Sequence, residues 1–318
     1  MTRVLIHSDQ PETALEVLAE RHPDLSPAVC TDFASLPGRL TEIQPEVVYS
    51  SRFSSEPFPR EALFATPSVR WVSNAGSGVN HLMPWDDSKV TVTNSAGVAA
   101  ASMAHFAIGM FLHFSLDIPR MQRDQAARHW PTRGVTPLAG KTLVVIGVGK
   151  TGAETARIAK AMEMTVLGVR ARPQPSPYVD EIVTTSEMTT VLSRADFILV
   201  CLPLLPGTRG LIGEDAFAAI KPASVLVDVS RGGIVVADAL IRALDNGRLA
   251  GSALDVTDPE PLPAESPLWS HPKILISPHC SGVYDGWERR SVEWFAENLT
   301  RWRKGEALQN VVSPERGY

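Results

Sequence analysis

Six apolar runs beyond residue 140 constrain the fold more than any other feature: KTLVVIGV, TVLGVRA, DFILVCLP, SVLVDVS, AGSALDV and KILISP. Each is a continuous hydrophobic stretch of strand length, not an alternating one. Such strands are covered on both faces, as in a parallel sheet flanked by helices. Helical segments such as ETARIAKAM separate them. The first third of the chain alternates in the same way. Strand candidates lie at 4–7, 47–51, 69–73 and 90–94, and residues 15–19 and 61–65 fall on helical segments.

At 318 residues the chain is too long for one compact core. A long apolar helix at about 99–120 and a last helix at about 283–302 are expected to carry the chain between the two series. The predicted architecture is α/β, with two doubly wound, Rossmann-like parallel-sheet domains, the second inserted into the first. The boundaries are 1–99 with 283–318, and 100–282.

The run LVVIGVGKTG adds chemistry to that frame. A strand leads into Gly147, Gly149 and Gly152, and a helix follows. Gly147 permits the tight turn, Gly149 lets the backbone approach a pyrophosphate, and Gly152 lets helix and strand pack closely. An anion then sits at the helix N-terminus, near Lys150 and Thr151. This predicts a dinucleotide site, so 100–282 is expected to be the cofactor domain and the remainder the substrate domain. An NAD site usually has a carboxylate about 20 residues further on, whereas arginine accommodates a 2′-phosphate. The next run, TVLGVRARP, places Arg170 and Arg172 there. The expected cofactor is NADP, with NAD possible.

The formal charge of -5, with no basic block, argues against nucleic acid and anionic membranes as partners. Cys30, Cys201 and Cys280 are few and far apart, which suits free thiols in a reducing compartment and no metal site. The opening MTRVLIHSDQPETALEVL has no signal-peptide core. The apolar stretch at 97–116 is interrupted by Ser102, His105, His113 and Ser115, so a buried helix is expected there and not a membrane span. The predicted location is cytoplasmic.

Three ionisable residues fall at or just beyond predicted strand C-termini, where an open α/β sheet keeps its site: Arg231 in SRGG, Glu260 in ALDVTDPEPLP and His279 in SPH. With GSGVN at 76–80, TNSAG at 93–97, GVGKTG at 147–152 and CLPLLPGTRGLI at 201–212, these motifs run in order through nearly the whole chain. In that combination the chain resembles the D-isomer-specific 2-hydroxyacid dehydrogenases. The tail LQNVVSPERGY is similar to the glyoxylate/hydroxypyruvate (2-ketoacid) reductase branch.

The resemblance implies a reductase of small 2-oxo acids that forms D-2-hydroxy acids, working as a homodimer. It implies that Arg231 holds the substrate carboxylate, that His279 gives a proton to the carbonyl oxygen, and that Glu260 holds the other ring nitrogen. It implies a substrate-carboxylate loop at Gly76, Ser77 and Gly78, and a cofactor groove lined by Leu202, Pro203, Thr208 and Val229. It further implies that Asp255 meets the nicotinamide amide and that Ser102 meets a cofactor phosphate or ribose.

The family often has Asp where Asn80 stands, Asn where Asp228 stands and Glu where His105 stands. Cys280 is read as a small packing residue. The loop at 51–57, with Trp130, Tyr284 and Trp287, is expected to shape the substrate pocket. Two rival readings stand beside this one. A same-fold dehydrogenase acting on formate or phosphite is disfavoured by Glu260, because formate enzymes usually pair the histidine with Gln. A cofactor-sensing protein with little turnover is disfavoured by the intact Arg231, Glu260 and His279.

Overall fold

The computed structural model describes residues 2–51 and 56–317, so residues 52–55 of the loop expected to shape the pocket lie outside the described residues. In chain order the elements are β1 Val4–His7, α1 Glu12–Arg21, β2 Ala28–Cys30, α2 Leu36–Ile43, β3 Val47–Ser50, α3 Arg60–Ala65, β4 Trp71–Asn74 and β5 Thr91–Asn94. There follow α4 Ala100–Ser115, α5 Ile118–Ala126, β6 Thr142–Ile146, α6 Lys150–Ala161, β7 Thr165–Val169, β8 Glu181–Val183, α7 Met188–Leu192 and β9 Phe197–Val200. The series closes with α8 Glu214–Ala219, β10 Ser224–Asp228, α9 Ala237–Asp245, β11 Leu249–Leu254, β12 Ile274–Ile276 and α10 Trp287–Lys304.

The chain divides into two compact units, one formed by Met1–Val98 with Asp285–Tyr318 and the other by Ala99–Tyr284. Each is built on a parallel sheet, in the order β2-β1-β3-β4-β5 in the first and β12-β11-β10-β9-β6-β7-β8 in the second. The α/β class read from the apolar runs is the one observed. The continuous runs are buried for the reason expected: β9 (FILV) and β10 (SVLVD) are buried along their whole length.

In the first unit, α10 lays Val292, Phe295, Ala296 and Leu299 against Val4, Ile6, Tyr49 and Trp71 on one sheet face. Leu36, Leu40, Leu63, Leu82 and Trp85 cover the other. Each such side chain stabilises the fold by about 1.5–3 kcal/mol through burial. In the second unit, α4 and α6 bring Ala107, Phe111, Ala156 and Ala159 to one face. Leu192, Phe217, Leu240 and Leu244 cover the opposite face.

Several expected boundaries move. The single helix at 99–120 is two helices, α4 and α5, bent by 57°. The break falls at Asp117, which has a left-handed φ of 52°. Pro119 follows two residues later, at the start of α5. Proline has no N–H to continue the α4 ladder but is well suited to the first turn of a helix, so a new helix starts there. The last helix begins later than expected, because Gly286 at φ 85° turns the chain just ahead of Trp287. β2 and β8, three-residue strands at sheet edges, and α2 were not anticipated. Among the described residues no single helix is long and apolar enough to cross a membrane.

Candidate active site

The glycine turn follows β6 directly. Gly147 has φ +108°, and a Cβ there would lie 2.6 Å from the Cys201 carbonyl oxygen. A Cβ at Gly152 would lie 2.2 Å from the Gly147 carbonyl oxygen. Only glycine permits both approaches. At Gly149 a Cβ would meet nothing within 4 Å, and no side chain caps the helix N-terminus that follows. An exposed glycine backbone leading into an uncapped twelve-residue helix fits a cofactor pyrophosphate. Lys150 is exposed and Thr151 half-buried at the start of α6.

Arg170 and Arg172 follow β7, half-buried and exposed respectively, and neither side chain has a hydrogen-bond or ion-pair partner among the described residues. Leu202 and Pro203 are half-buried just past β9. The Thr208 hydroxyl donates to the Pro203 carbonyl (2.7 Å) and accepts the Leu205 N–H (2.8 Å), closing that loop. The Val229 side chain is buried in the core. The Ser102 hydroxyl donates to the Ser281 carbonyl at 2.9 Å.

Arg231, Glu260 and His279 all belong to the second unit, just beyond β10, β11 and β12. Glu260 Oε1 accepts the Thr257 N–H at 3.1 Å, and Oε2 meets His279 Nδ1 at 2.9 Å. A carboxylate pinned by the backbone thus fixes the imidazole, while Nε2 has no protein partner among the described residues. That arrangement suits a ring nitrogen that trades protons with a ligand. The His279 backbone is held by donation of its N–H to the Asp255 carbonyl (2.9 Å) and takes a left-handed φ of 52°.

Asp255, almost fully buried, ties the same turn together. Its carboxylate accepts the Ser277 hydroxyl (2.7 Å) and the N–H groups of Cys280 (2.8 Å) and Ser281 (3.1 Å). The packing role expected for Cys280 is corrected: its side chain is an exposed free thiol. It follows His279 on a turn outside the sheet, where nothing covers it. Cys201 is the inert one, its thiol pushed by burial up to about 12.

Gly232 sets Arg231 in place. A Cβ there would lie 1.8 Å from the Thr257 carbonyl oxygen, so only glycine lets the turn after β10 rest on the one after β11. Arg231 Nη1 donates to the Ser230 carbonyl at 2.6 Å. Burial lowers its pKa, and Glu260, Asp228 and Asp255 act in the opposite sense. A guanidinium so placed remains charged. The motif showed Arg231, but it did not show that Gly232 holds its turn against Thr257.

Asp228, at the end of β10, is 2% exposed. Its Oδ1 accepts the Ser230 N–H at 2.9 Å and the Ser230 hydroxyl. Burial, aided by Asp255, pushes its carboxyl up to about 7, against the pull of the Ser230 hydrogen bonds and Arg231. The folded state therefore binds this proton more tightly than the unfolded chain does. The resulting stabilisation is complete below the ordinary carboxylate range and is lost as pH rises through about 7. Asp228→Asn keeps the acceptor and removes the charge. In denaturant titrations it is expected to gain roughly 2–4 kcal/mol relative to the native protein between pH 5 and pH 8. The His7 imidazole, pushed by burial down to about 4, loses stability towards acid in both proteins and cancels from the difference. Equal differences at the two pH values would disprove the charge argument.

In the first unit, the loop after β4 carries Gly76, Ser77 and Gly78. Their three N–H groups have no acceptor among the described residues, and Gly76 and Ser77 are exposed. Consecutive free amides of this kind suit an anion. Of the aromatics expected at a pocket, Trp130 is 96% exposed in the second unit, and Trp287 is half-buried at the start of α10 in the first.

Glyoxylate reductase of Korarchaeum cryptofilum is 28% identical over 82% of this chain and 81% of its own. Hydroxypyruvate reductase of Blautia hydrogenotrophica is 27% identical over 89% of both chains. Among solved structures, the D-isomer specific 2-hydroxyacid dehydrogenase of Xanthobacter autotrophicus, in complex with NADPH and MES, superposes with a TM-score of 0.87. It is 27% identical and fully covered, as is this chain. Residues 108–281, more than half the chain, match the NAD binding domain of one family. With the glycine turn and the three residues beyond the strand ends in the same unit, the chain belongs to the D-isomer specific 2-hydroxyacid dehydrogenases.

Proposed function

We propose that this protein reduces small 2-oxo acids to D-2-hydroxy acids, with NADPH as preferred donor and glyoxylate and hydroxypyruvate as the first candidate substrates. The 2.9 Å pairing of His279 with the backbone-pinned Glu260 carries this reading. Arg231 holds the substrate carboxylate through charge-assisted hydrogen bonds. His279 delivers a proton from Nε2 to the carbonyl oxygen, and Glu260 at Nδ1 holds the ring in place for that transfer. The amides of Gly76, Ser77 and Gly78 are further donors to the carboxylate.

A bound nicotinamide cofactor would supply the hydride. Gly147, Gly149, Lys150, Thr151 and Gly152 would hold its pyrophosphate, and Leu202, Pro203, Thr208 and Val229 would line its groove. Asp255 would meet the nicotinamide amide, and Ser102 would take a phosphate or ribose oxygen. We further propose a cytoplasmic homodimer joined through the cofactor unit, where exposed Met121, Trp130 and Val135 offer apolar surface.

The preference for NADPH rests on Arg170 and Arg172, two unpaired cations beyond β7 where an NAD site would place a carboxylate. It is supported by the NADPH-bound Xanthobacter relative. The double variant Arg170→Ala with Arg172→Ala is expected to lose about 10- to 100-fold in kcat/KM for NADPH and to change little with NADH. Equal losses with both cofactors would rule out 2′-phosphate recognition by this pair.

The whole reading is tested by following NADPH and NADH oxidation with glyoxylate, hydroxypyruvate, pyruvate and longer 2-oxo acids. Turnover fastest with NADPH and a short 2-oxo acid is the expected result. Tight cofactor binding without turnover on any of them would overturn it.

A further inference from the structure

β4 and β5 end side by side, with Asn74 opposite Asn94 in register. Both side chains are almost fully buried, 2% and 4% exposed. A buried amide has to place its donors, and these two place them on one loop. Asn74 Nδ2 donates to the carbonyls of Gly76 (2.8 Å) and Gly78 (3.0 Å). Asn94 Nδ2 donates to the carbonyl of Ser77 (2.7 Å).

The neighbouring carbonyls are engaged as well. That of Asn74 accepts from Ser95 Oγ (3.2 Å), that of Ala75 from Ser291 Oγ (2.7 Å), and that of Val79 from the Leu82 N–H (2.9 Å). Asn94 is itself braced. Its Oδ1 accepts the Ala96 N–H (3.1 Å), and Asn310 Nδ2 donates to the carbonyls of Asn94 (3.2 Å) and Ala96 (2.8 Å).

Every carbonyl from 74 to 79 thus meets a donor within the unit, while the amides of 76, 77 and 78 meet no acceptor among the described residues. A trans peptide plane carries the C=O of one residue and the N–H of the next on opposite edges, so the carbonyls of Gly76 and Ser77 set where the N–H groups of Ser77 and Gly78 point, and the Ala75 carbonyl, held by Ser291, sets that of Gly76. We propose that Asn74 and Asn94 are positioning residues for substrate binding: by holding the carbonyls of Gly76 and Ser77 they present the N–H groups of Ser77 and Gly78, beside that of Gly76, as a preorganised site for the carboxylate of a 2-oxo acid.

This rests on the reading above that the loop binds substrate. It makes the asparagine side chains, which touch no substrate, responsible for affinity and not for the chemical step. Preorganisation acts by removing the ordering cost that a mobile loop would bear on binding.

Aspartate is nearly isosteric with asparagine but turns a donor into an acceptor facing carbonyl oxygens. In full-length enzyme, Asn74→Asp and Asn94→Asp are each expected to raise KM for glyoxylate and the inhibition constant of oxamate about tenfold or more. Both should leave kcat within about threefold and the NADPH Kd unchanged. Asn94→Ser, too short to reach the Ser77 carbonyl, is the milder variant should an aspartate prevent folding, and the same rise in KM is expected. Folded variants with unaltered KM would overturn the proposal, as would a joint loss of kcat and NADPH binding at constant KM. Hydrogen exchange of the 74–82 segment separates this from the reading beneath it. Oxamate should protect that segment in the native, NADPH-bound enzyme. Absence of that protection would remove the loop from the substrate site altogether, whereas protection alongside an unaltered KM in the variants would sink the asparagine proposal alone.

Discussion

Replacing His279 with glutamine is expected to lower kcat for 2-oxo acid reduction by about 10²–10⁴-fold, the usual size of a positioned general acid's effect. The backbone around it is fixed by other groups: the His279 N–H on the Asp255 carbonyl and the Asp255 carboxylate on the following turn. Glutamine should therefore be accommodated, and cofactor affinity should stay as it was. What it cannot do is release a proton near neutral pH. Glu260→Gln is the companion variant. It leaves the imidazole in place but exchanges the carboxylate that holds it for a neutral amide, so kcat should fall less than in His279→Gln. Single-turnover rates measured from pH 5 to pH 9 give both results. A His279→Gln rate within about threefold of native would show that the proton comes from elsewhere.

Arg231→Ala is expected to have the second large effect, lowering kcat/KM for glyoxylate by roughly 10²–10⁴-fold, mostly through KM. Two losses combine. The substrate carboxylate loses a charge-assisted partner, and the cation that faces Asp228, Asp255 and Glu260 disappears. The carboxyl groups of Glu260, Asp228 and Asp255 then face an incoming anion without that cation. Arg231→Lys tests the division, because it restores the point charge but not the planar set of donors. It should recover only part of the affinity. Full recovery by lysine would mean that charge alone matters at this position. An unchanged KM in Arg231→Ala would exclude the residue from carboxylate binding.

The sequence discloses those features whose physics is local. The glycine turn can be read because strand, turn and helix are contiguous and the backbone geometry at Gly147 belongs to glycine itself. β6, β7, β9, β10, β11 and β12 can be read because a run such as FILV has no role except burial on both faces. The break between α4 and α5 is marked by Pro119, which lies just past the apolar run that ends at residue 116. β2 and β8 escape because each is a three-residue edge strand, AVC or EIV, without the apolar run that marks β12. Gly232 looks like any glycine after an arginine until Thr257, distant in sequence, is placed beneath it. Asn74 and Asn94 escape for the same reason, since their role depends on the register of β4 against β5. The raised pKa of Asp228 follows from burial, which the letter D at a strand end does not disclose.

The first unit is made from both ends of the chain, and this sets when it can be finished. Val292, Phe295, Ala296 and Leu299 fill one face of its sheet, yet they leave the ribosome only after the whole of Ala99–Tyr284 has been made. At ordinary translation speeds that delay is roughly 10–40 s. Throughout it, Val4, Ile6, Tyr49 and Trp71 lack the helix that covers them. The nascent first third is therefore a substrate for chaperones that hold apolar surface, whereas the second unit has its own sequence complete and can fold before synthesis ends. A chain terminated after residue 284 and released should accordingly carry a protease-resistant second unit attached to a protease-sensitive N-terminal segment.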